Sequence, residues 1–129
     1  MIADDIRRFV LTSIPSVPYL EAMLVFHRQP SADFSAADIA RALYIDEERA
    51  RALLESLVSS GIVVGVGVGV GDNAARWRLG PRDDALQGLI DRLARTYDAE
   101  MIAVTHLIHD AVGKSAHRFA DAFKLRKER

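Results

Sequence analysis

Residues 35–61 read SAADIARALYIDEERARALLESLVSSG, and two helix starts stand close together within them. Ser35 and Asp38 form a Ser-x-x-Asp pair, in which each side chain can satisfy the other's backbone N–H, ahead of Ile39, Ala40 and Leu43. Asp46 then caps a second helix carrying Ala50, Leu53, Leu54, Leu57 and Val58, and Gly61 closes it. Only Tyr44 and Ile45 lie between the two helices. So short a connection cannot fold them back antiparallel, and they must cross at a steep angle.

Upstream, Ile2, Ile6, Phe9 and Val10 recur at helical spacing and predict a short amphipathic helix, broken by Ser13-Ile14-Pro15-Ser16. Ser16 is a good N-cap, Pro18 falls in the first turn where its missing N–H costs nothing, and Tyr19, Leu20, Met23, Leu24 and Phe26 support a helix that must stop by Pro30. Downstream the apolar period changes from 3.6 to 2. From Ile62 to Gly71 the even positions are branched and apolar, and the odd ones are glycine from Gly65 onward. That alternation predicts a strand with one buried and one bare face. Gly71-Asp72-Asn73 reads as a turn, Arg76-Trp77-Arg78-Leu79 as the returning strand, and Gly80-Pro81 as the end of the hairpin. On this reading Arg76 and Arg78 share one face, opposite a mostly glycine partner strand. Asp83 and Asp84 then open a long helix whose apolar line runs Leu86, Ile90, Leu93, Tyr97, Met101, Val104 and Ile108, spaced mostly 4-3-4. Gly113 is expected to stop it, and Ser115 to cap a last helix with Phe119 and Phe123 one turn apart. A continuous helix of that length, about 30 Å or more at 1.5 Å per residue, exceeds what a small domain covers, which favours a partner helix.

The chain has 129 residues and 14.2 kDa, half of them apolar and 27% charged, which suits one compact globular domain. It has no cysteine, so disulfides, thiol catalysis and thiolate zinc sites are excluded. Asp4 and Asp5 stand where a signal peptide wants positive charge, and no apolar run approaches the roughly 18 residues that span a bilayer, so a soluble, cytoplasmic protein without membrane contact is expected. The net charge is −1, low for a phosphate-gripping chain, but it is divided: residues 1–60 sum to −3 and residues 61–129 to +2.

Other patterns fail on spacing. The glycine run has Val70 where a dinucleotide loop needs glycine, and no Gly-Lys-Ser/Thr follows. His106 and His109 sit three apart beside Asp110, but no third ligand falls at motif spacing and a break separates His117, so no metal is expected. Nothing arranges Ser, His and Asp as an activated nucleophile; neither an enzyme nor a cofactor is expected.

The order helix, helix–tight turn–helix, hairpin, long helix resembles the winged helix-turn-helix family, a mainly α (α+β) fold. The resemblance is carried by Asp38-Ile39-Ala40, Leu43, Ile45, Ala50, Leu54, Leu57 and Gly61-Ile62-Val63. With its flanking helices the whole chain resembles small dimeric bacterial regulators of the MarR type. The ending from Phe119 to Lys127 is similar to that of uncharacterised bacterial proteins of the same layout. The resemblance divides the chain into an N-terminal helix (1–15), a winged helix-turn-helix domain (16–80) and a C-terminal helical dimerisation region (81–129). It implies a homodimeric transcription regulator that lays residues 47–60 in the major groove of double-stranded DNA and reaches the backbone with the wing. Ser35, Arg49, Arg51, Arg76 and Arg78 are the candidate DNA contacts. Leu86, Ile90, Leu93, Tyr97, Met101, Val104, Ile108, Phe119 and Phe123 are the candidate dimer interface. Residues 46–60 hold four acids (Asp46, Glu47, Glu48, Glu55) against two arginines, and a carboxylate in the groove can accept only from the cytosine amino group. Two alternatives follow: Arg49 and Arg51 pair with neighbouring glutamates, or the domain is a protein-interaction module that does not read DNA.

Overall fold

The computed structural model describes residues 1–67 and 75–111. Four helices come first: α1 (Asp4–Ser13), α2 (Val17–Arg28), α3 (Ala36–Leu43) and α4 (Glu47–Ser59). A two-stranded antiparallel sheet follows, β1 (Val63–Gly65) and β2 (Trp77–Leu79), and then α5 (Asp84–Ala99). Residues 101–111 are again helical and form α6 up to the edge of the described residues.

The helix starts are local chemistry. Ser16, Ser35, Asp46 and Asp83 each accept a backbone N–H three residues on, from Tyr19, Asp38, Arg49 and Leu86. At α3 the Asp38 carboxylate also accepts the Ser35 N–H at 2.9 Å, completing a capping box. At the far end of α3 the chain turns through Tyr44 in the left-handed region (φ 57°), with the Tyr44 and Ile45 N–H groups both donating to the Ala40 carbonyl. The end of α4 turns the same way through Gly61 (φ 75°), where the Ile62 N–H reaches back to Leu57.

Between these ends the apolar faces meet in one core. Tyr19, Leu20, Met23 and Phe26 of α2 pack with Ile39 of α3, Leu54 and Leu57 of α4, and Ile90 and Leu93 of α5, all fully buried. Burying each of these large side chains contributes about 1.5–3 kcal/mol, which sets α2, α3 and α4 against one another and fixes the crossing on which the site is built. Phe34, in the α2–α3 loop, adds a rung to the hairpin: its N–H and C=O exchange bonds with Trp77 at 2.8 and 2.9 Å, and its ring meets Phe26 edge-on at 5.3 Å.

Two expectations change. The first is the phase of β1. Val63 pairs with Leu79, Val64 with Arg78 and Gly65 with Trp77, so Val63 is buried and Val64 is 45% exposed. The turn out of α4 buries Ile62 and Val63 in succession, and this shifts the alternation by one residue. The second is the long C-terminal helix, which breaks at Glu100 (φ −138°, ψ 50°) and restarts with the Val104 N–H bonded to the Glu100 carbonyl. The turn expected at Gly71-Asp72-Asn73 and the last helix expected from Gly113 and Ser115 onward, with His117, Phe119 and Phe123, lie outside the described residues.

Candidate nucleic-acid interface

Helix α4 turns Ala50, Leu54 and Leu57 inward and leaves Glu47, Glu48, Arg49, Ala52, Glu55, Ser56 and Ser59 exposed, with Arg51 half-buried at the margin. Among the described residues neither the Arg49 nor the Arg51 side chain forms an ion pair. Their expected alternative partners, the glutamates of the same helix, do not engage them. The Ser35 hydroxyl accepts the Asp38 N–H in the α3 cap. Asp38 is held below the usual carboxylate range, chiefly because it accepts the Ser35 N–H and also because Arg41 and Arg76 face it.

The base of the wing contributes Arg76 and Arg78, which point to one face while Trp77 and Leu79 turn to the other. That face is not bare. Val64 stands opposite Arg78 and Val66 is bonded to Arg76, while Gly65 lies across from Trp77. Nor are the two arginines loose in solvent. Arg78 Nε donates to Asp33 Oδ1 at 2.6 Å, Arg76 Nη2 donates to the Asp33 carbonyl at 3.0 Å, and the same Nη2 lies 3.7 Å from Asp38 Oδ2. Arg41 Nη2 closes the cluster on Asp38 Oδ1 at 2.9 Å. Both wing side chains remain about 45% exposed. Three guanidinium groups and two carboxylates therefore share one partly exposed patch. Asp33 is the residue that sequence reading missed, since its role depends on β2 lying beside the α2–α3 loop, far along the chain.

No protein-family model matches the chain, and no curated protein sequence matches it. Solved structures do. A possible transcriptional regulator from Methanosarcina mazei is similar over 76% of this chain and 81% of its own, at 11% identity and a TM-score of 0.53. The adhesin competence repressor AdcR from Streptococcus pyogenes is similar over 90% of this chain and 80% of its own, at 14% identity and a TM-score of 0.54. A protein from Mycobacterium tuberculosis is similar over 86% and 78%, at 12% identity and 0.54. The chain has the winged-helix fold. The resemblance drawn from the α3–α4 residues holds at that level.

Within this winged helix the apolar line of the C-terminal helices does not form an outer seam. Leu86, Ile90, Leu93 and Tyr97 of α5 and Val104 and Ile108 of α6 are buried inside the chain's own fold, and Met101 alone of the described line is exposed, at 55%. The break at Glu100 is the reason: two shorter helices lie against the core where one straight helix would have overrun it. His27, passed over in the sequence, joins α2 to α5 through Asp91 at 2.9 Å, with Gln87 on the same carboxylate oxygen. The imidazole bond is the main cause of the lowered Asp91 pKa. Asp5 and Arg92 likewise tie α1 to α5.

A groove of about 830 Å³ runs between α1, the end of α4 and the start of α5, past Phe9, Ile14, Ser56, Arg82 and Leu86 to Tyr19. The Tyr19 hydroxyl is buried without a hydrogen bond, and burial pushes its pKa up; Ser60 offsets this in part without a bond of normal geometry. Among the described residues no three His, Asp or Glu converge as metal ligands, and His106, His109 and Asp110 are exposed. No single described helix is long and apolar enough to cross a membrane.

Proposed function

We propose that this chain is a DNA-binding transcription regulator that acts as a homodimer on double-stranded DNA. The observation that carries the reading is that one fold exposes both the α4 face, where Arg49 and Arg51 form no ion pair among the described residues, and the half-exposed Arg76 and Arg78 at the wing base. The winged-helix fold, shared with a possible transcriptional regulator and with the adhesin competence repressor AdcR, supports it. Arg49 and Arg51 meet the major groove, Arg76 and Arg78 meet phosphate, and Ser35 marks the edge of the contact. Large apolar side chains still exposed for self-association include Leu11, Met101 and Ile102.

The test is fluorescence anisotropy with a labelled duplex across a salt series, with sedimentation to fix the oligomer. Binding is expected to be strong at low salt and to fall steeply as salt rises. Arg76→Ala with Arg78→Ala is expected to flatten the log–log slope by about 2 per protomer, near 0.9 for each lost phosphate contact. No duplex retained at low salt refutes the reading. The acidic surface formed by Asp46, Glu47, Glu48 and Glu55 favours a second reading, a module for a basic protein partner. One stoichiometric protein partner, captured by a chain that retains no duplex, decides for it.

A further inference from the structure

The arrangement of Asp33 against the wing has a chemical logic that its charge alone does not suggest. A carboxylate beside a DNA contact lowers the local positive potential, so on electrostatics its removal strengthens binding. The geometry opposes this. Asp33 engages Arg78 through Nε and Arg76 through one Nη2 donor, which leaves both Arg78 Nη groups and the Arg76 Nη1 without an Asp33 bond. Asp33 is itself fixed, because the next residue, Phe34, is bonded to Trp77 on both sides of its peptide and packed on Phe26. Two long side chains that would otherwise sample many rotamers are therefore set at the wing base before any ligand arrives.

We infer that Asp33 is a positioning residue for the nucleic-acid contact: it orients the Arg78 and Arg76 guanidinium groups so that their free N–H edges meet a phosphate without further ordering. The inference rests on the DNA reading above. Ordering a rotamer-rich side chain on binding weakens affinity, so a pre-set arginine has an advantage over a loose one.

Two substitutions at one position separate orientation from charge. Asp33→Asn removes the negative charge and keeps an Oδ1 acceptor for Arg78 Nε, whereas Asp33→Ala removes both. If charge alone matters, the two variants gain affinity equally. If the Asp33 carboxylate positions Arg78, D33A binds a labelled duplex roughly two- to tenfold more weakly than D33N, the effect expected from releasing that one side chain, since Arg76 keeps its bond to the main-chain carbonyl in both variants. The gap between the variants is expected to vanish in an R78A background, which a merely structural role does not produce. Thermal melts confirm that each variant folds. D33A binding as tightly as D33N, or the gap persisting without Arg78, overturns the inference and leaves the DNA reading intact. A wild-type chain that retains no duplex at low salt overturns both.

Discussion

Replacing Tyr44 with glycine should make the protein more stable. Tyr44 is the one non-glycine residue in the left-handed region among the described residues, and the turn from α3 to α4 imposes that conformation by directing two N–H groups at the Ala40 carbonyl. An L-residue with a Cβ pays about 1–2 kcal/mol there. Its ring is 95% exposed, so no packing is lost with it. Glycine relieves the steric term but loosens the unfolded chain, which returns about 0.4–1 kcal/mol. The net gain is about 0.5–1 kcal/mol, or roughly 2–4 °C in a two-state melt for a chain of this size. Tyr44→Asn, which tolerates the conformation without glycine's freedom, should gain a similar amount. Tyr44→Ala keeps the steric term and should leave the melting temperature nearly unchanged. The decisive measurement is the order of the three melting temperatures by circular dichroism. A Y44G chain that melts below the wild type, with Y44A unchanged, refutes the account of the turn.

Other outcomes follow from the core, the wing and the charges. Leu54→Ala, at a fully buried position on the inner face of α4, should cost about 2–5 kcal/mol in chemical denaturation. Gly80→Ala places a Cβ 2.9 Å from both Val64 methyl carbons, so it should lower the melting temperature and disturb the β1–β2 pairing seen by amide exchange. Tyr19→Phe removes a buried hydroxyl with no partner and should be neutral or stabilising by about 1 kcal/mol. The lowered pKa of Asp38 means that its folded form favours the carboxylate more than its unfolded form does. Its stabilisation is therefore full above the unfolded value near ~3.9 and is lost as pH falls through the lower folded value. The acid limb of a stability–pH curve should be shallower for Asp38→Asn than for the wild type.

The helix-turn-helix was legible because its signals are local. Ser16, Ser35, Asp46 and Asp83 sit at fixed offsets from the N–H groups they cap, and Gly61 closes α4 where a positive φ is required. The phase of β1 was not legible. Ile62, Val63 and Val64 are all branched and apolar, and only the turn after α4 decides which of them faces inward. The seam from Leu86 to Ile108 misled for a related reason: a 4-3-4 spacing describes a buried stripe and is silent on whether the covering surface belongs to the same chain. Neither glycine nor proline marks the break at Glu100. Of the candidate contacts, Arg49 and Arg51 were read from their helix and Arg76 and Arg78 from their strand. Asp33 carried no local signal, because what it touches is 43 and 45 residues away.

That separation has a consequence for the order of assembly. The wing base rests on a rung between Phe34 and Trp77 and on an acid whose partners arrive only after α3, α4 and β1 have been placed. Closing so long a loop is entropically costly until the intervening helices have packed, so the wing contact is expected to form late in folding and to open early in unfolding. A chain with a loosened core can keep its helices and yet lack the proposed contact surface. Loss of binding is thus a more sensitive report of partial unfolding than loss of helical signal.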